Sequence, residues 1–257
     1  MLTAEKLSAR LDESLKELHL PTVRECYAQE ASRARTESLS HEQYLLEIVT
    51  RECEVRRQRR IERNLRGSRL PLDKSLQAFD QSRLPRKVKA LLRVLLEGGF
   101  LDRAQNVLAF GNPGSGKTHL LCAIGQELIH QGRKVLFTPC SLLVQDLLIA
   151  KRELDLARTL KRLGRFEALV IDDIGYVQQS REEIEVLFTL LADRYERGSV
   201  MLTSNLPFSQ WERIFKDPMT TAAAIDRLVH HSIILELNLP SYRLEHSKAN
   251  KKGTHQN

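Results

Sequence analysis

Leu7, Leu11, Leu15 and Leu18 fall at i, i+4, i+8 and i+11, an apolar stripe along a helix that stops before Pro21. Thr22 and Glu25 have capping-box spacing and predict the start of a second helix carrying Val23, Cys26 and Tyr27. Ser40 and Gln43 repeat the signal and open a longer helix over about residues 41–66, apolar in its first half through Tyr44, Leu45, Ile48 and Val49. Three such helices predict a small all-α domain. Gly67, Pro71 and Pro85 then punctuate a linker over residues 67–85. Helical spacing resumes with Val88, Leu91, Leu92 and Leu95 and stops at Gly98-Gly99.

Beyond residue 100 the pattern changes. Short apolar runs at 107–110, 134–138, 167–172, 200–203 and 233–237 alternate with helical segments. These are marked by Leu120, Leu121, Ile124 and Leu128, by residues 142–162, by Ile184, Leu187, Leu191 and Tyr195, and by residues 222–228. Strands alternating with helices predict an α/β core around a parallel five-stranded sheet. The expected division is a helical domain at 1–69, an α/β domain at 70–245 and a polar, disordered tail at 246–257.

The first strand leads into Gly111-Asn112-Pro113-Gly114-Ser115-Gly116-Lys117-Thr118, which fits G-x-x-x-x-G-K-[ST] without a gap, and with His119 these are the candidate nucleotide-binding residues ahead of a helix marked by Leu120 and Leu121. Glycines let backbone N–H groups approach phosphates closely, and the helix N-terminus adds partial positive charge. Lys117 would reach the β- and γ-phosphates, and the Thr118 hydroxyl would ligate Mg²⁺. The pattern points to a bound nucleoside triphosphate. Phe79-Asp80 is a candidate to pack beside the base. The strand at 167–172 ends in Asp172-Asp173, where Asp172 would hold Mg²⁺ and Asp173 would accept a proton from water or orient it. The next strand delivers Asn205 to the same sheet edge, where an amide can sense the γ-phosphate.

Composition adds a class and a partner. Apolar residues make up 42% of the 257, enough for a packed core. Cys26, Cys53, Cys122 and Cys140 form no CxxC pair, which fits a reducing cytosol and leaves no zinc knuckle. His230 and His231 lack a matching ligand cluster in the sequence and are expected to be structural. No apolar run reaches membrane-spanning length, and the acidic, amphipathic start is unlike a secretion signal. The net charge of +7 and pI of about 9.3 point to a polyanion. That charge is concentrated: residues 51–69 hold eight arginines against three glutamates. Arg56, Arg59, Arg60 and Arg63 follow i, i+3, i+4, i+7, a guanidinium face suited to a duplex backbone, or else a solvated face paired to Glu52 and Glu62.

The order of GNPGSGKTHL, FEALVIDDIGY, DRYERGSVMLTSNLPFSQW, AAAIDRLVHHSIILEL and SYRL resembles the IstB family over nearly the whole chain, to about Leu244. These are AAA+ helper ATPases encoded beside a transposase in insertion sequences, similar to DnaC-type helicase loaders. The resemblance implies an ATP-driven homo-oligomer that binds and remodels double-stranded DNA and engages a transposase. It marks Arg227 as an arginine finger reaching a neighbour's γ-phosphate. It also makes the basic stretch with Lys151, Arg152, Arg158, Lys161 and Arg162 similar to a pore-lining DNA helix. Two departures stand out: Asp173 replaces the usual glutamate base, and the residues after the last strand are too few for a helical lid, leaving Arg243 to stand in for the second sensor. A helicase loader shares this core, and a monomeric phosphotransferase acting on a metabolite is a third class the phosphate loop allows.

Overall fold

The computed structural model describes residues 3–175, 180–215 and 217–242; Arg243 and the expected tail lie outside them. By internal packing the chain divides after Arg63 into two compact units.

The first unit contains α1 (Ala4–Glu17), α2 (Pro21–Thr36) and most of α3 (His41–Ser68). Its core is small: Leu15, Val23, Cys26 and Ile48, flanked by Leu20, Tyr27 and Tyr44. The reciprocal Ser40–Gln43 cap forms, at 2.9 and 3.2 Å. The Thr22–Glu25 box does not. Pro21 starts α2 two residues earlier, since its fixed φ and missing N–H suit the first helical position. Thr22 is therefore inside the first turn and buried. Its N–H and that of Val23 bond instead to one carboxylate oxygen of Glu52, at 2.8 and 3.1 Å. The other oxygen receives Arg56 Nε at 2.7 Å, and Arg56 Nη2 also donates to the His19 carbonyl. Burial pushes the Glu52 carboxyl up, but the hydrogen bonds from Arg56, Val23 and Thr22 outweigh it and hold the group below its ordinary range. The apolar stripes are only partly used: Leu7, Leu11, Leu45 and Val49 stay exposed.

The second unit begins at Asn64 and ends beyond the sheet. Residues 67–85, expected as a linker, are tied down. Leu70 is buried beside Gly125, and Gln126 Nε2 donates to the carbonyls of Pro71 and Lys74 at 2.9 and 3.2 Å. A 3-10 turn at Gln81–Arg83 leads into α4 (Arg86–Leu96) and a short α5 (Gly99–Asp102). Then β1 (Asn106–Phe110), α6 (Lys117–His130), β2 (Val135–Pro139), α7 (Cys140–Arg152), α8 (Leu156–Leu163) and β3 (Ala168–Asp172) alternate. They are followed by α9 (Arg181–Arg194), β4 (Ser199–Ser204), α10 (Glu212–Phe215), α11 (Pro218–Val229) and β5 (Ser232–Glu236).

The five strands form one parallel sheet in the order β2-β3-β4-β1-β5. Each internal strand is a run of β-branched and aliphatic residues, as a sheet covered on both faces requires. Leu120, Leu121, Ile124 and Leu128 of α6 are fully buried, and α7, α9, α10 and α11 enclose a continuous cluster containing Leu147, Leu169, Leu187, Leu202, Trp211 and Phe215. Arg194, also buried, donates to the carbonyls of Leu163, Phe166, Glu167 and Ser199, gathering the loops at the N-terminal edges of β3 and β4. Burial lowers its pKa to about 10, which still leaves it charged at neutral pH. Among the described residues no helix is long and apolar enough to cross a membrane.

Candidate nucleotide site

Register brings the carboxyl ends of the central strands to one edge: Phe110 pairs with Ser204 and with Glu236, and Ile171 pairs with Leu202. Everything that follows a strand there faces a common crevice, the usual ligand position in an open parallel sheet. The phosphate loop leaves β1, and Gly116 caps α6 with φ +96°. Asp172 and Asp173 leave β3. Asn205 leaves β4, in a turn closed by the Leu206 N–H on Ser204 Oγ at 3.1 Å.

These groups are already connected. Lys117 is buried, and its ammonium donates to the carbonyls of Gly111 and Asn112 at 2.8 and 2.9 Å and to Asn205 Oδ1 at 2.6 Å. Asn205 Nδ2 in turn donates to Asp173 Oδ1 at 3.2 Å. Thr118 Oγ1 donates to Asp172 Oδ1 at 2.7 Å. Thr203, which the sequence reading passed over, donates to the same oxygen at 2.7 Å and accepts the Asp173 N–H at 2.8 Å. Its signal was a hydroxyl residue closing an otherwise aliphatic strand beside the acidic one.

Asp173 adopts φ +62°. Among residues with a Cβ, Asp and Asn occupy that left-handed region most readily, which suits an aspartate to this position. Burial pushes the Asp173 carboxyl up, the neighbouring Asp172 adds to this, and Lys117 opposes it. Such a shift moves a carboxylate toward the basicity a proton acceptor needs near neutral pH.

The crevice, about 380 Å³, is lined by Phe79, Arg83, the phosphate loop, both aspartates, Thr203 and Asn205, and on its far side by Leu239 and Tyr242. Phe79 lies 3.1 Å from where a Cβ on Gly116 would sit and packs edge-on to His119 with centroids 5.1 Å apart. His119 Nε2 is also 2.9 Å from the Ser75 carbonyl oxygen, so His119 bonds to the 67–85 segment. Pro113, Gly114 and Ser115 complete the loop, and the Ser115 hydroxyl is buried without a partner. A triphosphate fits this cradle: an ammonium, a helix N-terminus and an orphan hydroxyl converge on it. The Thr118 hydroxyl and Asp172 carboxylate form a hard-oxygen donor pair of the kind Mg²⁺ takes.

Other candidate residues lie apart from this crevice. Arg227, in the last turn of α11, places its guanidinium 4.3 Å from the Phe188 ring centroid, and its Nη1 is buried without a hydrogen bond. Lys151 and Arg152 of α7 pair with Glu185 and Glu182 of α9, at 2.9 and 3.8 Å. Arg158, Lys161 and Arg162 are exposed on α8. In the first unit Arg56 is committed to Glu52, whereas Arg59, Arg60 and Arg63 are exposed and, among the described residues, make no ion pair. His230 and His231 have a neighbour the sequence did not reveal: with Glu196 they bring ligand-type atoms within 4.8 Å of one another, all three residues being exposed.

Residues 13–250 match the family described as IstB-like ATP binding protein. The chain is 44% identical over 236 residues to an insertion sequence ATP-binding protein of Sinorhizobium fredii, covering 91% of this chain and 79% of that one. It is 38% identical over 216 residues to the IS21 ATP-binding protein of Pseudomonas aeruginosa, covering 84% and 82%. Among solved structures, AMPPCP-bound DnaA from Aquifex aeolicus aligns with a TM-score of 0.56 at 19% identity, over 74% of this chain and 58% of that one. The DnaC helicase loader aligns with a TM-score of 0.53 at 20% identity, over 65% and 98%. At such identities the structural likeness establishes the fold, AAA+, and no more.

Proposed function

The chain belongs to the IstB-like ATP-binding proteins of insertion sequences, and from that premise we propose that it is a cytoplasmic, Mg²⁺-dependent ATPase that assembles on duplex DNA and presents it to its cognate transposase. The observation that supports hydrolysis is the joined set Lys117–Asn205–Asp173 beside Thr118–Asp172 in one crevice. Lys117 exchanges its carbonyl and amide partners for the β- and γ-phosphates. Asn205, released from Lys117, holds the terminal phosphate and the attacking water. Asp173 orients that water and accepts its proton. Thr118 and Asp172 would hold Mg²⁺, which would supply neutralisation of phosphate charge. Arg227 leaves its own Phe188 ring to reach the γ-phosphate of a neighbouring subunit, so the site is completed between copies. The helical domain up to about residue 69 grips the duplex through its arginine face and engages the partner, with α8 of the ATPase domain as a second contact.

Steady-state phosphate release with ATP and Mg²⁺ tests this directly. The parent should turn over ATP, and Asp173→Asn, which suits the same left-handed backbone, should keep nucleotide binding and lose about 10²-fold or more in rate, the range removed with a general base. Equal rates would remove Asp173 from the mechanism. Sedimentation with ATP and duplex DNA should give assemblies far larger than one chain; a monomer under those conditions would contradict the DNA-assembly reading.

A further inference from the structure

The chain does not leave the nucleotide crevice when β5 ends. Leu237 N–H donates to the Phe110 carbonyl at 2.7 Å, extending the ladder past the strand, and the Leu237 side chain is buried. Its carbonyl oxygen comes so close to Gly111 that a Cβ there would lie 2.2 Å away. The backbone then crosses the phosphate loop. Tyr242 N–H donates to the Gly114 carbonyl at 3.0 Å, and Ser241 Oγ lies 2.2 Å from where a Cβ on Gly114 would be. Two glycines of the phosphate motif are therefore needed to admit this segment as well as to form the loop. From the opposite wall Arg83 reaches over: Nη2 donates to the Pro240 carbonyl at 3.1 Å, and the guanidinium carbon sits 5.3 Å from the centroid of the Tyr242 ring. Leu239 and Tyr242 then face the same crevice as Phe79.

We propose that residues 237–242 are a strap that closes the nucleotide crevice, with Arg83 and Tyr242 as its latch. The inference rests on the nucleotide reading above and adds to it a positioning role for Arg83 and Tyr242. Two effects follow from the contacts. The Tyr242 N–H fixes the plane of the Gly114 peptide, so the phosphate loop is held in shape before ligand arrives and less ordering is required on binding. The latch also supplies an aromatic and an aliphatic side chain to the crevice lining. Surfaces of that kind pack against a base or ribose, which ATP and ADP share, so they act on binding and release of both rather than on the chemical step.

The test uses the full chain with Arg83→Ala, Tyr242→Ala, the double variant and Tyr242→Phe. All four changes are on a partly exposed surface and should leave the fold intact. Hydrogen exchange, read without nucleotide, should show protection of the 237–242 amides falling in Arg83→Ala and Tyr242→Ala while β1 is unaffected. Equilibrium binding should show both single variants weakened roughly tenfold for ATP and ADP alike, with kcat at saturation within about twofold of the parent. The double variant should be no worse than the weaker single, because two halves of one latch do not add. Tyr242→Phe, which keeps the ring beside Arg83, should lose less strap protection and less affinity than Tyr242→Ala. Unchanged exchange at 237–242 in both alanine variants would overturn the latch, whatever ATP does. Loosened exchange with unchanged nucleotide affinity would overturn the strap's role in closure. A parent with strap protection but no affinity for ATP would instead overturn the nucleotide reading, and the ligand of the strap with it.

Discussion

The two units of this chain bury their charges to opposite ends. In the α/β unit the aliphatic strands and the side chains of α6, α7 and α9 form an apolar interior, and the buried Arg194 guanidinium donates through Nη1 and Nη2 to backbone carbonyls. Stability there comes from apolar area, and the charges Lys117, Asp172 and Asp173 gather at the carboxyl edge of the sheet. The helical unit has a core cluster of four buried apolar residues and a polar hub, Glu52, that substitutes for a cap on α2. Its remaining leucines lie open, Leu46 at 67% exposure and Leu45 at 57%. A unit built this way is held in shape by a charge and offers both apolar and cationic surface to partners. The difference separates a unit held by apolar packing from one held by a charged hub.

The largest test of that contrast is in the core. Leu169→Ala removes a fully buried side chain from the central sheet, for which about 2–5 kcal/mol of destabilisation is expected. Thermal or urea unfolding should show the loss; a shift below about 1 kcal/mol would mean that the ATPase core is far looser than its packing indicates.

A smaller effect, different in kind, is expected at the hub. Glu52→Gln leaves two helix N–H groups and Arg56 with a weaker partner, costing roughly 1–3 kcal/mol in the helical unit alone. Because the folded carboxyl is held below its ordinary value of about 4.3, the stability it contributes is complete above that pH and is lost as pH falls through the lowered folded value. Hydrogen exchange of residues 21–36 across an acid series should show that loss in the parent and a flatter profile in Glu52→Gln. Parallel profiles would show that the hub carries no titrating stability.

Asp173 reverses the sign. Its carboxyl is pushed up by burial and by Asp172, so its ionised form costs stability above the ordinary aspartate range, and Asp173→Asn should unfold at the same or a slightly higher temperature than the parent near neutral pH while losing turnover. A clear fall in melting temperature would make Asp173 a structural residue rather than one kept at a stability cost for function.

What could be read in advance follows the same division. The phosphate loop, the five strands and the acidic strand end were legible because each is a local pattern: a motif, an aliphatic run, a turn residue. Groups that act across long separations were not. Glu52 caps a helix thirty positions earlier, so Thr22 and Glu25 advertised a box that Pro21 pre-empted. Thr203 earns its place only when β4 lies beside β3. Residues 67–85 have the punctuation of a linker, yet Leu70 and Gln126 fasten them to α6. Leu45 and Val49 kept helical spacing without finding a core, since periodicity reports a face and not what covers it.

The smallest expected change in stability belongs to the arginine face, and it sharpens the comparison most. Arg56 already donates to Glu52 and the His19 carbonyl, so of the four arginines it has the fewest donors left to offer a phosphate. Arg59, Arg60 and Arg63 remain, exposed on α3. Changing those three to glutamine should move the unfolding free energy by no more than about 0.5 kcal/mol, as exposed substitutions do. Duplex binding should respond quite differently. Each phosphate contact contributes about 0.9 to the slope of log affinity against log salt, so removing three should flatten the slope by roughly 2.7 and weaken binding alike on unrelated sequences. Nucleotide binding should be unchanged. An unaltered slope in the triple variant would make this face a solvated surface and move the DNA contact to Arg158, Lys161 and Arg162 on α8. A variant that lost both stability and DNA affinity would erase the distinction between the two units, because the arginines would then be holding the helices together.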